Sequence, residues 1–390
     1  MSNMNTSDDA LRCPITMELF RDPVLAPDGH TYERQAIEQW IQRHGTSPMT
    51  RRPLSIEQLY PNRTVKELVD SFGILLRQKN SRFILNVDVK KKNERPLVQT
   101  IRKTIYGAEW LSNNNNNQSE IILLKIDGTR ARHEASFYID LSHHPYIIRT
   151  FGLVYDRNNL DQKDAILLLQ EYASEGSLYE LLQKRNRVPD EKILIHIFLQ
   201  IIEAMIWLAY NHVVHSNLAC RNVLVFNFDE NQPQKTVMKI TDFSLSQYSQ
   251  LYPMTSDTPR KTLDVIPIRY AAPEVLSSNA TLNVYTEKSD IYSMGVLMWE
   301  AYSRGSLPWT NIENDNEVIR RVSHGDLLSQ PSNCSQSIWS IIIKTWSTSP
   351  NDRPTFNELK QFLSEQYYCS GNYLYLSKTM IPNSLPPDNF

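Results

Sequence analysis

The stretch His215-Ser216-Asn217-Leu218-Ala219-Cys220-Arg221-Asn222 brings together an imidazole, a hydroxyl, two carboxamides, a thiol and a guanidinium, and no carboxylate. A carboxylate can accept a proton from a hydroxyl, whereas the carboxamide of Asn217 has no basic lone pair to offer. Asn217 can therefore hold and orient a group but cannot deprotonate it. Elsewhere, Lys125 ends the apolar run Ile121-Ile122-Leu123-Leu124, and Glu134 shares a helical face with Tyr138 and Leu141. That spacing allows a Lys125–Glu134 ion pair. Cys13, Cys220, Cys334 and Cys369 lie far apart and form no C-x-x-C, so neither a disulfide framework nor a zinc site is expected.

The elements that must position these groups can be read along the chain. With 390 residues, 41% of them hydrophobic, there is room for two or three soluble domains. A net charge of −2 argues against nucleic-acid and anionic-membrane partners. The apolar run Ile193 to Tyr210 carries His196, Gln200 and Glu203 at nearly one per turn. Such polar spacing is costly in lipid and usual in a buried helix, so no membrane span is expected. Met1 to Ala10 lack an apolar signal core, and with the cysteine usage this points to a reducing, cytoplasmic setting.

Near the N-terminus, Pro27-Asp28-Gly29 signals a turn, Thr31 can cap a helix bearing Ile37, Trp40, Ile41 and His44, and Gly45 stops it. Asn62 can cap a second helix with Val65, Leu68, Val69 and Phe72 on one face. The charged segment around Lys90-Lys91-Lys92 reads as a solvated linker. Asn113 to Asn117 read as a hairpin tip, and the residues from Ser370 onward as a loosely ordered tail.

In sequence order, the segments from Ile101 to Tyr367 resemble a tyrosine-kinase-like protein kinase domain. The opening stretch is similar to the catalytic loop H-R-D-L-x-x-x-N, with Ser216 for the Arg and Asn217 at the place of the base. Ile240-Thr241-Asp242-Phe243-Ser244 resembles D-F-G, and Pro267 to Glu274 the end of an activation segment, with Arg353 the expected partner of Glu274. Arg102 and Thr104 stand at the first two positions of the Gly-rich loop, and only Gly107 is kept. The resemblance implies a nucleotide site made by Gly107, Lys125 and Glu134, with Gln170 as gatekeeper and the Glu171 to Ala173 backbone facing adenine. Asn222 and Asp242 would hold Mg2+ if ATP binds. Loss of a general base typically removes about 10²–10⁴ in rate, so a pseudokinase is expected.

Cys13-Pro14-Ile15-Thr16, Asp22-Pro23-Val24, the turn at Asp28, the helix and Ser47-Pro48-Met49-Thr50-Arg51 together resemble a U-box. A U-box is similar to a RING domain without metal; Cys13, His30 and His44 are too few for two tetrahedral zinc sites. Contacts among Asp22, Asp28, Glu33, Arg34 and Arg51 would hold the loops instead. The resemblance implies docking of a ubiquitin-conjugating enzyme by Ile15, Met17, Trp40, Ile41 and Pro48, with Arg51 bridging that enzyme and ubiquitin.

The expected architecture is an α+β multidomain chain: a zinc-free RING-like U-box at 8–78, a linker at 79–95, a two-lobed protein-kinase fold at 96–369 and a tail at 370–390. The expected function is that of a ubiquitin ligase acting on protein lysines, with the kinase-like domain recruiting substrate or linking the ligase to nucleotide. The alternatives are a kinase with residual phosphotransfer and an accessory U-box, and a non-catalytic scaffold. The family resemblance also makes a homodimer an expectation.

Overall fold

The computed structural model describes residues 13–16, 20, 22–63, 65–66, 82–111, 120–156, 165–248, 266–277 and 284–369. Contacts divide the chain into two compact units, Met1–Arg82 and Phe83–Phe390. Met17, the Asn113 to Asn117 run, most of the helix expected after Asn62 and the tail lie outside the described residues.

In the first unit, strand β1 (Pro23–Leu25) turns back into β2 (Thr31–Glu33), followed by helix α1 (Arg34–His44) and the short β3 (Tyr60–Pro61), in sheet order β2-β1-β3. Gly29 adopts φ 84° in the connecting turn, a left-handed geometry that costs glycine little. Thr31 lies in β2 instead of capping α1, and its hydroxyl accepts from Asn62 Nδ2 at 2.8 Å. Gly45 ends α1 as expected, its N–H donating to the Ile41 carbonyl. Val24, Tyr32, Ile37, Ile41, Leu54 and Leu59 form the core. Ile41 is only 8% exposed, so the docking role expected of it is corrected: it follows Ile37 by one helical turn and faces inward with it.

The second unit opens with a seven-stranded sheet. Its strands are β4 (Arg82–Ile84), β5 (Val89–Lys91), β6 (Val98–Gln99), β7 (Lys103–Trp110), β8 (Ile121–Asp127), β9 (Thr150–Tyr155) and β10 (Ala165–Glu171). Their order is β4-β9-β10-β8-β7-β5, with β6 also on β7, and helix α2 (Ala131–Leu141) packs on this sheet. The expected linker is therefore partly strand, because β4 and β5 pair with opposite edges of the sheet while a tight turn at Leu85–Asp88 joins them. Val89 is fully buried, and Phe83 meets the Trp110 ring edge-on at 5.4 Å.

The helical lobe follows, with α3 (Leu178–Lys184), α4 (Glu191–Tyr210), α5 (Pro273–Leu276), α6 (Glu287–Tyr302), α7 (Asp315–His324), α8 (Gln336–Thr345) and α9 (Phe356–Cys369). Between α4 and α5 come β11 (Val213–Val214), β12 (Val223–Asn227), β13 (Val237–Ile240) and β14 (Gln247–Tyr248), paired as β11-β14 and β12-β13. The α4 helix is long and apolar enough to cross a membrane, yet 72% of its 18-residue apolar stretch is buried inside the fold. Helix α6 is buried nearly throughout, and a Cβ at Gly295 would run into the Thr345 side chain. Arg353, 2% exposed, makes a bidentate pair with Glu274, both distances 2.7 Å.

Truncating Phe83 to Ala should destabilise the second unit by about 2 kcal/mol, below the value for a fully buried aromatic. Chemical denaturation reads this directly, and a variant as stable as the parent would return the segment to linker status.

Candidate functional site

Side-chain alternation decides which lysine enters the cleft. In the β7–β8 register Lys103 faces Ile126, Thr104 faces Lys125, Ile105 faces Leu124 and Gly107 faces Ile122. Residues opposite each other share a face. Ile122, Leu124 and Ile126 belong to the core that includes Ala131, Ala135 and Tyr138 of α2, so Lys103 lies on that side and Lys125 on the other. Lys125 pairs instead with Asp127 at 3.0 Å. The expected Lys125–Glu134 pair is thus corrected: Lys103 Nζ lies 2.5 Å from Glu134 Oε1 and also bonds Asp242 Oδ1.

Gly107 is also displaced from its expected place. It sits inside β7, its carbonyl accepting from the Lys92 N–H, while the turn before the strand is closed by Thr100 and Lys103. The signal that could have found Lys103 was parity. An inward Ile122, Leu124 and Ile126 forces Lys125 outward, and Lys103 alternates with Ile105.

Asp242 adopts φ 69° where the chain leaves β13, and its N–H donates to the Tyr138 hydroxyl at 3.2 Å. Phe243 is buried, edge-on to Tyr138 at 5.0 Å and 5.5 Å from the His215 ring. Asn217 Nδ2 donates to Asp242 Oδ2 at 2.7 Å, and Asn217 Oδ1 accepts from Arg221 at 3.1 Å. Asn222 Nδ2 donates to the Asn217 carbonyl at 2.7 Å. Behind this loop, the buried Asp290 accepts the N–H groups of His215 and Ser216.

Burial would raise the Asp242 carboxyl, but the Lys103 ammonium and the hydrogen bonds outweigh it and hold the pKa at about 2. Burial dominates at Glu134 and raises it despite Lys103. At Lys103 burial opposes the charge, yet Tyr138, Asp242 and Glu134 raise the pKa above its ordinary value.

Gln170 is buried, its amide donating to the Thr150 hydroxyl at 2.9 Å. The Glu171 carboxylate turns to Lys239 at 2.6 Å, and the Ala173 carbonyl accepts from the Gly176 N–H.

In the first unit, Asp28 Oδ2 accepts from Tyr32 at 2.7 Å and from Ser47 at 2.5 Å, and Ser47 Oγ accepts the N–H groups of Met49 and Thr50. Sequence reasoning missed Ser47, although a Ser followed by Pro in a polar loop signals a side-chain turn. Asp22 pairs with Arg34 at 2.6 Å and its N–H donates to Glu33. Cys13 Sγ accepts from the N–H groups of Ile15 and Glu33. Ile15, Trp40 and Pro48 are half-buried, Arg51 is exposed, and Trp40 stacks on His44 at 4.3 Å.

A sheet with one packed helix, a helical lobe around α4 and α6, and a Lys103–Glu134–Asp242 cluster between strand, helix and loop define a protein kinase fold. The family model for protein tyrosine and serine/threonine kinases matches residues 93–363, and this chain belongs to that family. The U-box model matches residues 8–80, so a U-box precedes the kinase domain. The chain is 32% identical over 232 residues to tyrosine-protein kinase csk-1 of Caenorhabditis elegans, covering 59% of this chain and 39% of that protein. It is 30% identical to tyrosine-protein kinase Btk of Drosophila melanogaster, covering 57% and 26%, and to fibroblast growth factor receptor 1 of Xenopus laevis, covering 58% and 28%. It therefore spans well under half the length of each of these relatives.

Kinase domains generally use ATP and Mg2+. The donor set here fits that metal poorly. One Asp242 oxygen is held by an ammonium and the other by an amide N–H.

Replacing Lys103 by Met leaves two largely buried carboxylates without their cation and should cost about 3–5 kcal/mol, whereas Lys125→Met should stay within about 0.5 kcal/mol. Equal effects in denaturation would reverse the assignment. Burial also lowers His215 and His144 to about 4 from 6.5. A base whose folded pKa is depressed stabilises the fold above its unfolded value, and that contribution is lost as pH falls from 6.5 toward 4. The unfolding midpoint should drop across that window and drop less in His144→Phe; an unchanged slope in the variant contradicts the account.

Proposed function

We propose that the chain is a ubiquitin ligase whose U-box docks a charged ubiquitin-conjugating enzyme, while the kinase-fold unit recruits substrate or regulates transfer. The observation that carries this reading is the Asp28–Ser47–Tyr32 network, which joins the turn before β2 to the loop bearing Pro48 and Arg51. Two loops tied in this way keep Pro48 and Arg51 at set positions, and the Ile15 N–H is held by Cys13 Sγ. A U-box contributes no nucleophile; its rate gain is positional, from holding a mobile thioester conjugate in an attack-ready geometry beside a lysine. Ile15 and Pro48 supply apolar contact and Arg51 a multi-donor fork for the conjugate. Trp40 lies on the helix between them in sequence.

The kinase-fold unit is assigned a non-catalytic part because Asn217 has its amide N–H on Asp242 and its carbonyl on Arg221. Neither atom can take a substrate proton. The assembled Lys103–Glu134–Asp242 cluster favours a second reading, residual phosphotransfer, which would depend on Asp242.

Reconstitution with ubiquitin-activating enzyme, a panel of conjugating enzymes, ubiquitin and ATP tests the proposal. The parent should form chains with at least one conjugating enzyme, and Ile15→Ala or Arg51→Ala should lower the rate about tenfold or more, as loss of an interface anchor does. Asn217→Ala should leave phosphotransfer at background. Chain formation insensitive to Ile15 and Arg51, or absent with every conjugating enzyme, would remove the ligase assignment.

A further inference from the structure

The Asp242 carboxylate lies where the β13 end, α2 and the Asn217 loop converge, and both of its oxygens already have partners. Oδ1 meets the Lys103 ammonium, which also bonds Glu134 at 2.5 Å. Oδ2 accepts the Asn217 amide at 2.7 Å. That amide cannot be reversed. The Arg221 guanidinium donates to Asn217 Oδ1 at 3.1 Å, so a flip would set carbonyl against carboxylate and N–H against guanidinium. Mg2+ needs oxygen ligands at about 2.0–2.1 Å in near-ideal octahedral geometry. An ion at that distance from Oδ1 would compete with a like-charged ammonium for the same oxygen, and one approaching Oδ2 would meet an N–H.

We infer that Lys103 and Asn217 together replace the divalent cation at Asp242, so that the kinase-fold cleft is closed by its own side chains and is indifferent to Mg2+. Lys103 reaches the carboxylate from β7, whereas the inward positions of β8 are all aliphatic, so the cation arrives from the strand bordering the cleft's entrance turn. The one positive charge links a strand, a helix and a loop. The unit then needs no bound ion to keep these three in place, which suits a binding platform better than a phosphotransferase. This inference rests on the platform reading of the second unit and on nothing assigned to the U-box.

Thermal unfolding of the full chain tests it, with MgCl2 or MnCl2 against EDTA, each with and without ATP. A bound ligand at about 100 times its Kd raises the midpoint by several degrees. For the parent, the second unit's midpoint should agree between divalent ion and EDTA within about 1 °C, with or without ATP. A rise of several degrees that EDTA reverses overturns the inference. Asn217→Asp preserves shape, removes the donor on Oδ2 and sets a second carboxylate beside Asp242. It should acquire a divalent-dependent rise, and a variant as indifferent as the parent would also overturn the inference. Ubiquitin-chain formation by the same parent preparation reads the U-box separately, so failure here and failure of the ligase assignment give different results.

Discussion

The ammonium of Lys103, held between the carboxylates of Glu134 and Asp242, is the contact on which the second unit's cleft depends. It joins β7, α2 and the turn after β13, three elements far apart in sequence. Around it the ordering spreads outward. Asp242 keeps a left-handed backbone with its N–H on Tyr138, Phe243 packs beneath Tyr138 and beside His215, and Asn217 spans Asp242 and Arg221. Few charges stay buried without partners, because desolvation is repaid only when both signs meet in good geometry. Here one cation serves two anions, and at Glu134 burial outweighs that cation, so the carboxyl is raised.

The first unit solves a similar problem without a full charge pair at its centre. Its loops are crossed by Asp28, which accepts from Tyr32 and Ser47, and by the Cys13 thiol, which accepts two backbone N–H groups. In a module of this size the apolar core formed by Val24, Tyr32, Ile37 and Ile41 is small, and such modules lean on staples. A hydrogen-bonded carboxylate serves as the staple. It fixes the turn that carries Pro48 and Arg51.

Much of this was legible in the residues because it is local. The Asp28-Gly29 turn and the Gly45 stop depend on backbone conformations that few residues adopt, and both appear where expected. The order of the kinase-like segments and the Arg353–Glu274 pair could be read because each segment carries several spaced signals. The docking role of Ile41 came from the family resemblance, which does not record that Ile41 packs inward with Ile37. The strands at 82–91 looked like a charged linker because their pairing partners, β9 and β7, lie far along the chain and only the sheet brings them near.

The sequence by itself determined that a U-box precedes a kinase fold and that the base position holds a carboxamide, since residue identity and order suffice for both. Only the tertiary structure decided which lysine enters the cleft. Lys103 and Lys125 are equal in charge and both lie on strands, and the difference between them is the face each presents, set by the β7–β8 register. The same register decided that Asp242 meets an ammonium from β7. That pairing turns the stretch from His215 to Asn222 into one wall of a closed ionic cluster, with the carboxamide of Asn217 as its hydrogen-bonded seal.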